Sequence, residues 1–204
     1  MNSDPMPWSQ VEAYRAAERA RLIAWRMGLA QAEREAMAQR IMAALEDATG
    51  VRPGLIVSGY FPYRGEPDVR PWLKLMLQKG VRVCLPVVVA RHQPLEFRTW
   101  TPESRMERGA LGILVPAEGE RVTPDIALAP LVGFDEAGYR LGHGGGYFDR
   151  TLAAPGNNHI MAVGIGYSGT RMQTIHPQPH DVPMHLIVTE AGIIKTKRPL
   201  PGRS

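Results

Sequence analysis

Cysteine is almost missing from this sequence. Cys84 is the only one in 204 residues, which excludes an internal disulfide and suits a reducing compartment. It sits in the apolar run VRVCLPVVV, where a small buried filler is expected rather than a nucleophile. No stretch approaches the roughly 18 apolar residues that a membrane span needs. The opening MNSDPMPWSQ carries neither the charged nor the apolar region of a secretory leader, so a cytoplasmic protein without membrane partners is expected. Internal repeats and low-complexity segments are absent. So are aromatic-rich basic strands of the RRM kind, and with them goes the case for an RNA-binding protein. No glycine cluster is followed by Gly-Lys-Ser/Thr, and none makes a good dinucleotide fingerprint, which excludes the two commonest nucleotide loops.

What remains fits one medium domain with short appendages. A hydrophobic content of 44% supports a real core, and a net charge of +4 favours anionic small molecules without demanding nucleic acid. Residues 1–9 read as a loose tail and 195–204 as a basic flexible tail, with a single domain over 10–194. Residues 11–27 have a helical pattern, and Arg15, Arg19 and Arg26 fall on nearly one face of it. A second helix is expected over 32–48, stopped by Gly50. Strands are expected at 55–60, 81–89, 95–100, 126–131, 160–167 and 186–189, with a helix near 69–79 and another following residue 147. Strands alternating with helices argue for a three-layer α/β/α domain with a mainly parallel sheet. Phe97 and Trp100 read as core aromatics. Glu66 and Asp68 could both cap the helix near 69–79, Asp68 in particular.

The densest signal is RLGHGGGYFDR, Arg140 to Arg150, with glycine at 142, 144, 145 and 146. An apolar run, DIALAPLVGFDEAGY, leads into it, and YFDRTLAA can begin a helix. Glycine adopts φ > 0 cheaply and lets a ligand approach the backbone. Consecutive backbone N–H groups ahead of a helix form an anion site. The stretch therefore reads as a phosphate cradle made of Leu141, Gly142, His143, Gly144, Gly145, Gly146, Tyr147 and Phe148, with Arg140 beside it. Asp149 is either the N-cap of the following helix or a metal ligand. Asp181, in QPHDVPMH, reads as a turn residue before Pro183.

The run PLVGFDEAGYRLGHGGGYFDRTL closely resembles the signature of the 5-formyltetrahydrofolate cyclo-ligases, also called methenyltetrahydrofolate synthetases. The resemblance extends from the N-terminal helix to the HDVP sequence at 180–183. It implies ATP-dependent conversion of 5-formyltetrahydrofolate to 5,10-methenyltetrahydrofolate, ADP and phosphate through a phosphorylated imidate. ATP is then the co-substrate and Mg²⁺ the metal, bound at Asp149 and Asp181. Arg15 and Arg19 match a basic pair that reaches the ATP phosphates, with arginine at 15 where the family has lysine. Glu66 matches a carboxylate that contacts the pterin, and Phe61 an apolar position that packs on the substrate. Gly146 and Tyr147 are implied on the folate side, and Arg140, Tyr147 and Asp149 in catalysis. Val115 stands where the family usually has glutamate. The alternative implied is a non-catalytic relative that binds folate or nucleotide and regulates. A monomer is expected.

Overall fold

The computed structural model describes residues 6–202. Its centre is a seven-stranded sheet built from β1 (Ile56–Ser58), β2 (Arg82–Val87), β3 (Glu96–Thr99), β6 (Ile126–Pro130), β9 (Met161–Ile165), β11 (Leu186–Thr189) and β12 (Gly192–Lys195). The spatial order is β12-β11-β9-β6-β1-β2-β3. The five inner strands run parallel, and each edge strand pairs antiparallel with its neighbour. The mixed α/β class with a mainly parallel sheet is the one expected. From β1 the chain crosses to β2 on one side and reaches β6 on the other, so the sheet has a switch point between β1 and β6. Ligands of open α/β sheets bind outside the carboxyl ends of the strands at such a point.

Parallel strands are covered on both faces, which is why they read as nearly continuous apolar runs. Strand alternation sorts those runs by size. In β6, Ile126 and Leu128 face a core shared with α2 (Gln31–Thr49) and α3 (Arg70–Gln78), while Ala127 and Ala129 face the opposite side. The larger core contains Ile41 and Leu45 from α2, and Trp72, Leu73 and Met76 from α3. The opposite core takes Leu152 from α4 (Tyr147–Ala153) and Phe134 from β7 (Gly133–Asp135). Helices thus lie on both sides of the sheet. α2 ends as expected at Gly50, whose φ of +57° forms a left-handed cap and whose N–H donates to the Glu46 carbonyl. Phe97 and Trp100 are buried, as is Cys84, whose thiol pKa is pushed up to about 12 by burial.

Four segments depart from the expected reading. β6 does not feed the glycine stretch directly: a hairpin of β7 and β8 (Arg140–Leu141) intervenes, forming a small sheet with β10 (Arg171–Met172). A second hairpin pairs β4 (Met106–Arg108) with β5 (Leu114–Pro116). Finally, α1 (Trp8–Gly28) begins within the stretch read as a tail, and the basic segment from 195 begins inside β12. Beyond β12, Thr196 Oγ1 donates to the Met184 carbonyl at 2.6 Å and Arg198 donates to that of Pro183 at 2.8 Å. Side-chain donors thus fasten the chain as far as Arg198. Residues 1–5 and 203–204 of the two expected tails lie outside the described residues. Among the described residues no helix is long and apolar enough to cross a membrane.

Helix α1 is held by Arg26, whose side chain is 1% exposed. Its Nε donates to the Arg64 carbonyl at 2.6 Å, Nη1 to that of Leu131 at 3.2 Å and Nη2 to that of Tyr63 at 3.2 Å. Glu66 lies 3.5 Å from Nη2. Burial presses the arginine pKa downward and the Glu66 carboxylate opposes that. Removing one partner of a buried pair strands the other charge. Arg26→Met is therefore expected to cost about 3–5 kcal/mol in denaturant unfolding. Adding Glu66→Leu should restore only part of it, because the carbonyls of Arg64 and Leu131 still lack their donor.

A second expectation concerns acid. His185 is buried between β9 and β11, and its Nδ1 accepts the Ala162 N–H at 2.9 Å. Burial, followed by the charge of Arg198, lowers its pKa from 6.5 to about 4. Between those values the unfolded chain binds a proton that the folded one refuses, so stability falls as pH drops through that window. The loss is on the order of 2–3 kcal/mol. Calorimetric melting from pH 7 to pH 4 should show it, and His185→Asn, which keeps an acceptor near Nδ1, should flatten that slope.

Candidate active site

A cleft of about 1550 Å³ opens at the carboxyl ends of the strands. Pro130 at the end of β6, with Leu85 and Pro86 of β2, forms its floor. The glycine stretch, α1, the loop after β1 and the β4–β5 hairpin form its walls. Every residue singled out from the sequence as a site residue lines this one cleft.

The glycine stretch is presented by the β7–β8 hairpin. Asp135, 2% exposed, builds the turn: Oδ1 accepts the N–H groups of Ala137 and Tyr139, and Oδ2 that of Ile175. Beyond β8 the backbone uses positive φ at Gly144 (+97°) and Gly146 (+64°), and Gly146 is the N-cap of α4. At Gly145 the requirement is space. A Cβ there would lie 2.6 Å from Cδ2 of Tyr147, so the ring rests directly on the loop backbone. None of the backbone N–H groups from His143 to Phe148 donates to an acceptor among the described residues. A row of unsatisfied donors at the wall of a cleft suits an anion.

Three arginines border that row. Arg140 pairs with Asp149 at 2.9 Å and lies over the Phe148 ring, 5.1 Å from its centroid. Its Nε is buried without a hydrogen-bond partner. Arg19, half-buried on α1, donates from Nε to the Gly142 carbonyl at 2.7 Å. Burial, then repulsion from Arg15, pushes its pKa down, as for a cation whose counter-charge lies elsewhere. Arg150 donates to the Gly145 carbonyl at 2.6 Å. From the sequence alone Arg150 has no role beyond closing the motif.

The basic face of α1 is largely turned inward. Arg15 makes a two-pronged pair with Asp181, at 2.5 and 3.2 Å, and donates to the carbonyls of Ile175 and His176. The phosphate and metal roles expected of Arg15 and Asp181 thus fall on residues bonded to each other. Asp181 Oδ2 also accepts the Gln178 N–H, the turn contact that the sequence allowed. Asp149 is not an N-cap: its Oδ1 accepts the Val182 N–H at 3.2 Å and its Oδ2 faces Arg140. Among the described residues no group of three or more His, Cys, Asp or Glu side chains could hold a metal ion. Asp149 and Asp181 can supply one or two carboxylates to an ion that takes its other oxygens from phosphate and water, the donor set Mg²⁺ accepts.

Across the cleft, Glu66 sits on the loop after β1, which is shaped by positive φ at Arg64 and Gly65 and by the Tyr60 hydroxyl donating to the Pro67 carbonyl. Its Oε2 accepts the Tyr63 N–H at 2.9 Å, and its Oε1 lies 2.9 Å from His143 Nε2. Glu66 caps nothing. Asp68 bonds the start of α3 from one residue before the N-cap Val69: its Oδ1 accepts the N–H of Arg70, the first residue of α3, and the Arg70 side chain bonds both its oxygens. Phe61 packs edge-on against Trp100, 5.9 Å between centroids, at the rim of the cleft. The β4–β5 hairpin contributes Ile113, Leu114 and Val115, so this wall is apolar. One side of the cleft is built for charge and the other for a flat, largely apolar body.

The profile of the 5-formyltetrahydrofolate cyclo-ligase family matches residues 11–190. The 5-formyltetrahydrofolate cyclo-ligase of Mycolicibacterium smegmatis is 31% identical over 201 residues, covering 86% of this chain and 94% of that protein. That of Escherichia coli K12 is 29% identical over 174 residues, 82% of this chain and 96% of its own. Among solved structures, the 5,10-methenyltetrahydrofolate synthetase of Aquifex aeolicus superposes with a TM-score of 0.74 at 28% identity, over 93% of this chain and 95% of that one. The synthetase of Mycoplasma pneumoniae gives a TM-score of 0.70 at 25% identity, over 86% and 98%. Sheet order, cleft and glycine stretch therefore have their place in a known lineage: this chain belongs to the 5-formyltetrahydrofolate cyclo-ligase family.

Proposed function

We propose that this protein uses ATP to convert 5-formyltetrahydrofolate into 5,10-methenyltetrahydrofolate, ADP and phosphate. The observation that carries this reading is the row of unbonded N–H groups from His143 to Phe148, facing the same cleft as Glu66, in a chain of this family. The formyl oxygen on N5 attacks the γ-phosphorus of ATP, ADP departs, and an imidate phosphate forms. N10 then attacks the former formyl carbon and phosphate leaves, closing the ring. Such a reaction asks the protein mainly for positioning and charge stabilisation.

In this proposal the loop N–H groups, Arg140 and Arg19 hold the phosphates. Arg15 supports them through its pair with Asp181. Asp149, with Asp181, would hold Mg²⁺, which would supply charge neutralisation to the phosphates. Tyr147, resting on Gly145, stacks beside the folate, which Gly146 lets approach closely. Phe61 packs on the substrate. Glu66 receives the aminopyrimidine edge of the pterin through two parallel N–H bonds, a geometry suited to a carboxylate. The apolar wall at Val115 leaves no polar group of that side chain for the substrate. The lone buried thiol of Cys84 supports a cytoplasmic setting.

Absorbance of the methenyl product should rise only when purified protein, 5-formyltetrahydrofolate, ATP and Mg²⁺ are all present. Binding of both substrates without turnover would refute the enzymatic reading and leave a regulatory relative. The pterin site has its own test. Glu66→Gln replaces one acceptor oxygen with a donor that faces the pterin's donors, and should weaken folate binding by about 2–3 kcal/mol, with ATP affinity little changed on folded protein. Asp68→Asn should lower the melting temperature and leave the folate Michaelis constant alone.

A further inference from the structure

His143 joins the two halves of the cleft. It is the one side chain within the run of glycines at 142–146, and its Nε2 reaches across to Glu66 Oε1 at 2.9 Å. The Tyr63 ring meets the imidazole edge-on, with centroids 5.2 Å apart, and fixes its placement. The Glu66 side chain is only 2% exposed. A carboxylate has about four lone-pair sites, two on each oxygen. On Oε1 one faces His143 and another faces Arg26 at 3.5 Å; on Oε2 one accepts the Tyr63 N–H. A pterin edge needs one site on each oxygen at once. Oε2 can supply its share, but Oε1 can do so only if His143 withdraws.

We infer that His143 and the pterin edge compete for Oε1 of Glu66, so that folate binding releases the glycine loop and couples the folate half of the cleft to the phosphate half. The inference rests on the reading of Glu66 as the pterin contact. Gly142 and Gly144 flank the histidine, so its backbone can turn at little steric cost. Its own N–H is the first of the unbonded row, and the Gly142 carbonyl is held by Arg19. Movement of His143 therefore changes the loop that would receive phosphate. Linkage makes the effect reciprocal: a nucleotide that draws the loop off Glu66 must tighten folate by the factor by which folate tightens the nucleotide. His143 acts here as a positioning residue and touches no reacting atom.

Calorimetric titration of 5-formyltetrahydrofolate, with and without a non-hydrolysable ATP analogue and Mg²⁺, tests this. In the wild type the analogue should tighten folate by about fivefold or more. In His143→Ala, folate alone should bind about fivefold tighter, and the analogue should then add less than about twofold. His143→Asn, too short to reach Glu66, should behave alike and serves if the alanine variant does not fold. The ring ¹⁵N resonances of His143 should shift when folate alone is added to the wild type. Weaker folate binding in both variants, or coupling equal to that of the wild type, overturns the inference. If Glu66→Gln leaves folate affinity unchanged, the pterin site itself is wrong and both readings fall. If Glu66→Gln weakens folate while the His143 variants retain wild-type coupling, only the competition is refuted.

Discussion

The geometry of the cleft depends on a guanidinium with almost no access to water. Arg26 sits at the meeting of α1, the loop after β1 and the end of β6, and bonds to a carbonyl or carboxylate of each of the last two. A buried charge is tolerated only when its partners are supplied, so the three segments are obliged to meet at one place. The result is directional. A hydrophobic contact would let the loop slide, whereas the flat, forked donor set of arginine fixes Tyr63, Arg64 and Glu66 relative to the sheet. Glu66 is thereby a structural counter-charge on one side and a group facing the cleft on the other.

The sheet sets the remaining boundary conditions. Large side chains of its inner strands fill the side of α2 and α3, and the alanines of β6 and β9 lie on the other, where Phe134 and Leu152 come close. This asymmetry draws the β7–β8 hairpin and α4 onto the sheet just beyond the end of β6. The glycine stretch between them is then delivered to the switch point opposite Glu66. A smaller cluster of Leu22, Val132, Leu141, Met172 and Ile175 ties α1 to the same hairpin. Charge on one wall and apolar surface on the other follow from which elements the two cores leave facing the cleft.

Much of this was legible in the sequence because it is local. The glycine stretch carries its own backbone requirements, and the inner strands announce themselves as apolar runs. The cap at Gly50 and the role of Asp68 follow from neighbours within a few residues. What was hidden depends on distant partners. The face shared by Arg15, Arg19 and Arg26 has the spacing of a solvated face, and nothing near it in sequence reveals that Asp181, Gly142 and Glu66 await those side chains. The β7–β8 hairpin escaped notice because its strands have three and two residues, too short for a period. Its clue was Asp135, whose side chain replaces turn contacts that backbone pairing would make. β12 escaped because GIIK sits beside basic residues that outweigh it in composition. The edge from His143 to Glu66 spans 77 positions, and only the fold could reveal it.

The Arg15 side chain has a consequence for biosynthesis. Its contacts lie 160 to 166 positions along the chain, at Ile175, His176 and Asp181. Ribosomes release the N-terminal helix first, and domains generally fold as units during synthesis. Here α1 gains the anchors of Arg15 only once Ile175, His176 and Asp181 have emerged. A nascent chain can form helices and pair β1 with β2 well before that, yet the side chain of Arg15 has no partners. One end of α1 must wait for residues made 160 positions later.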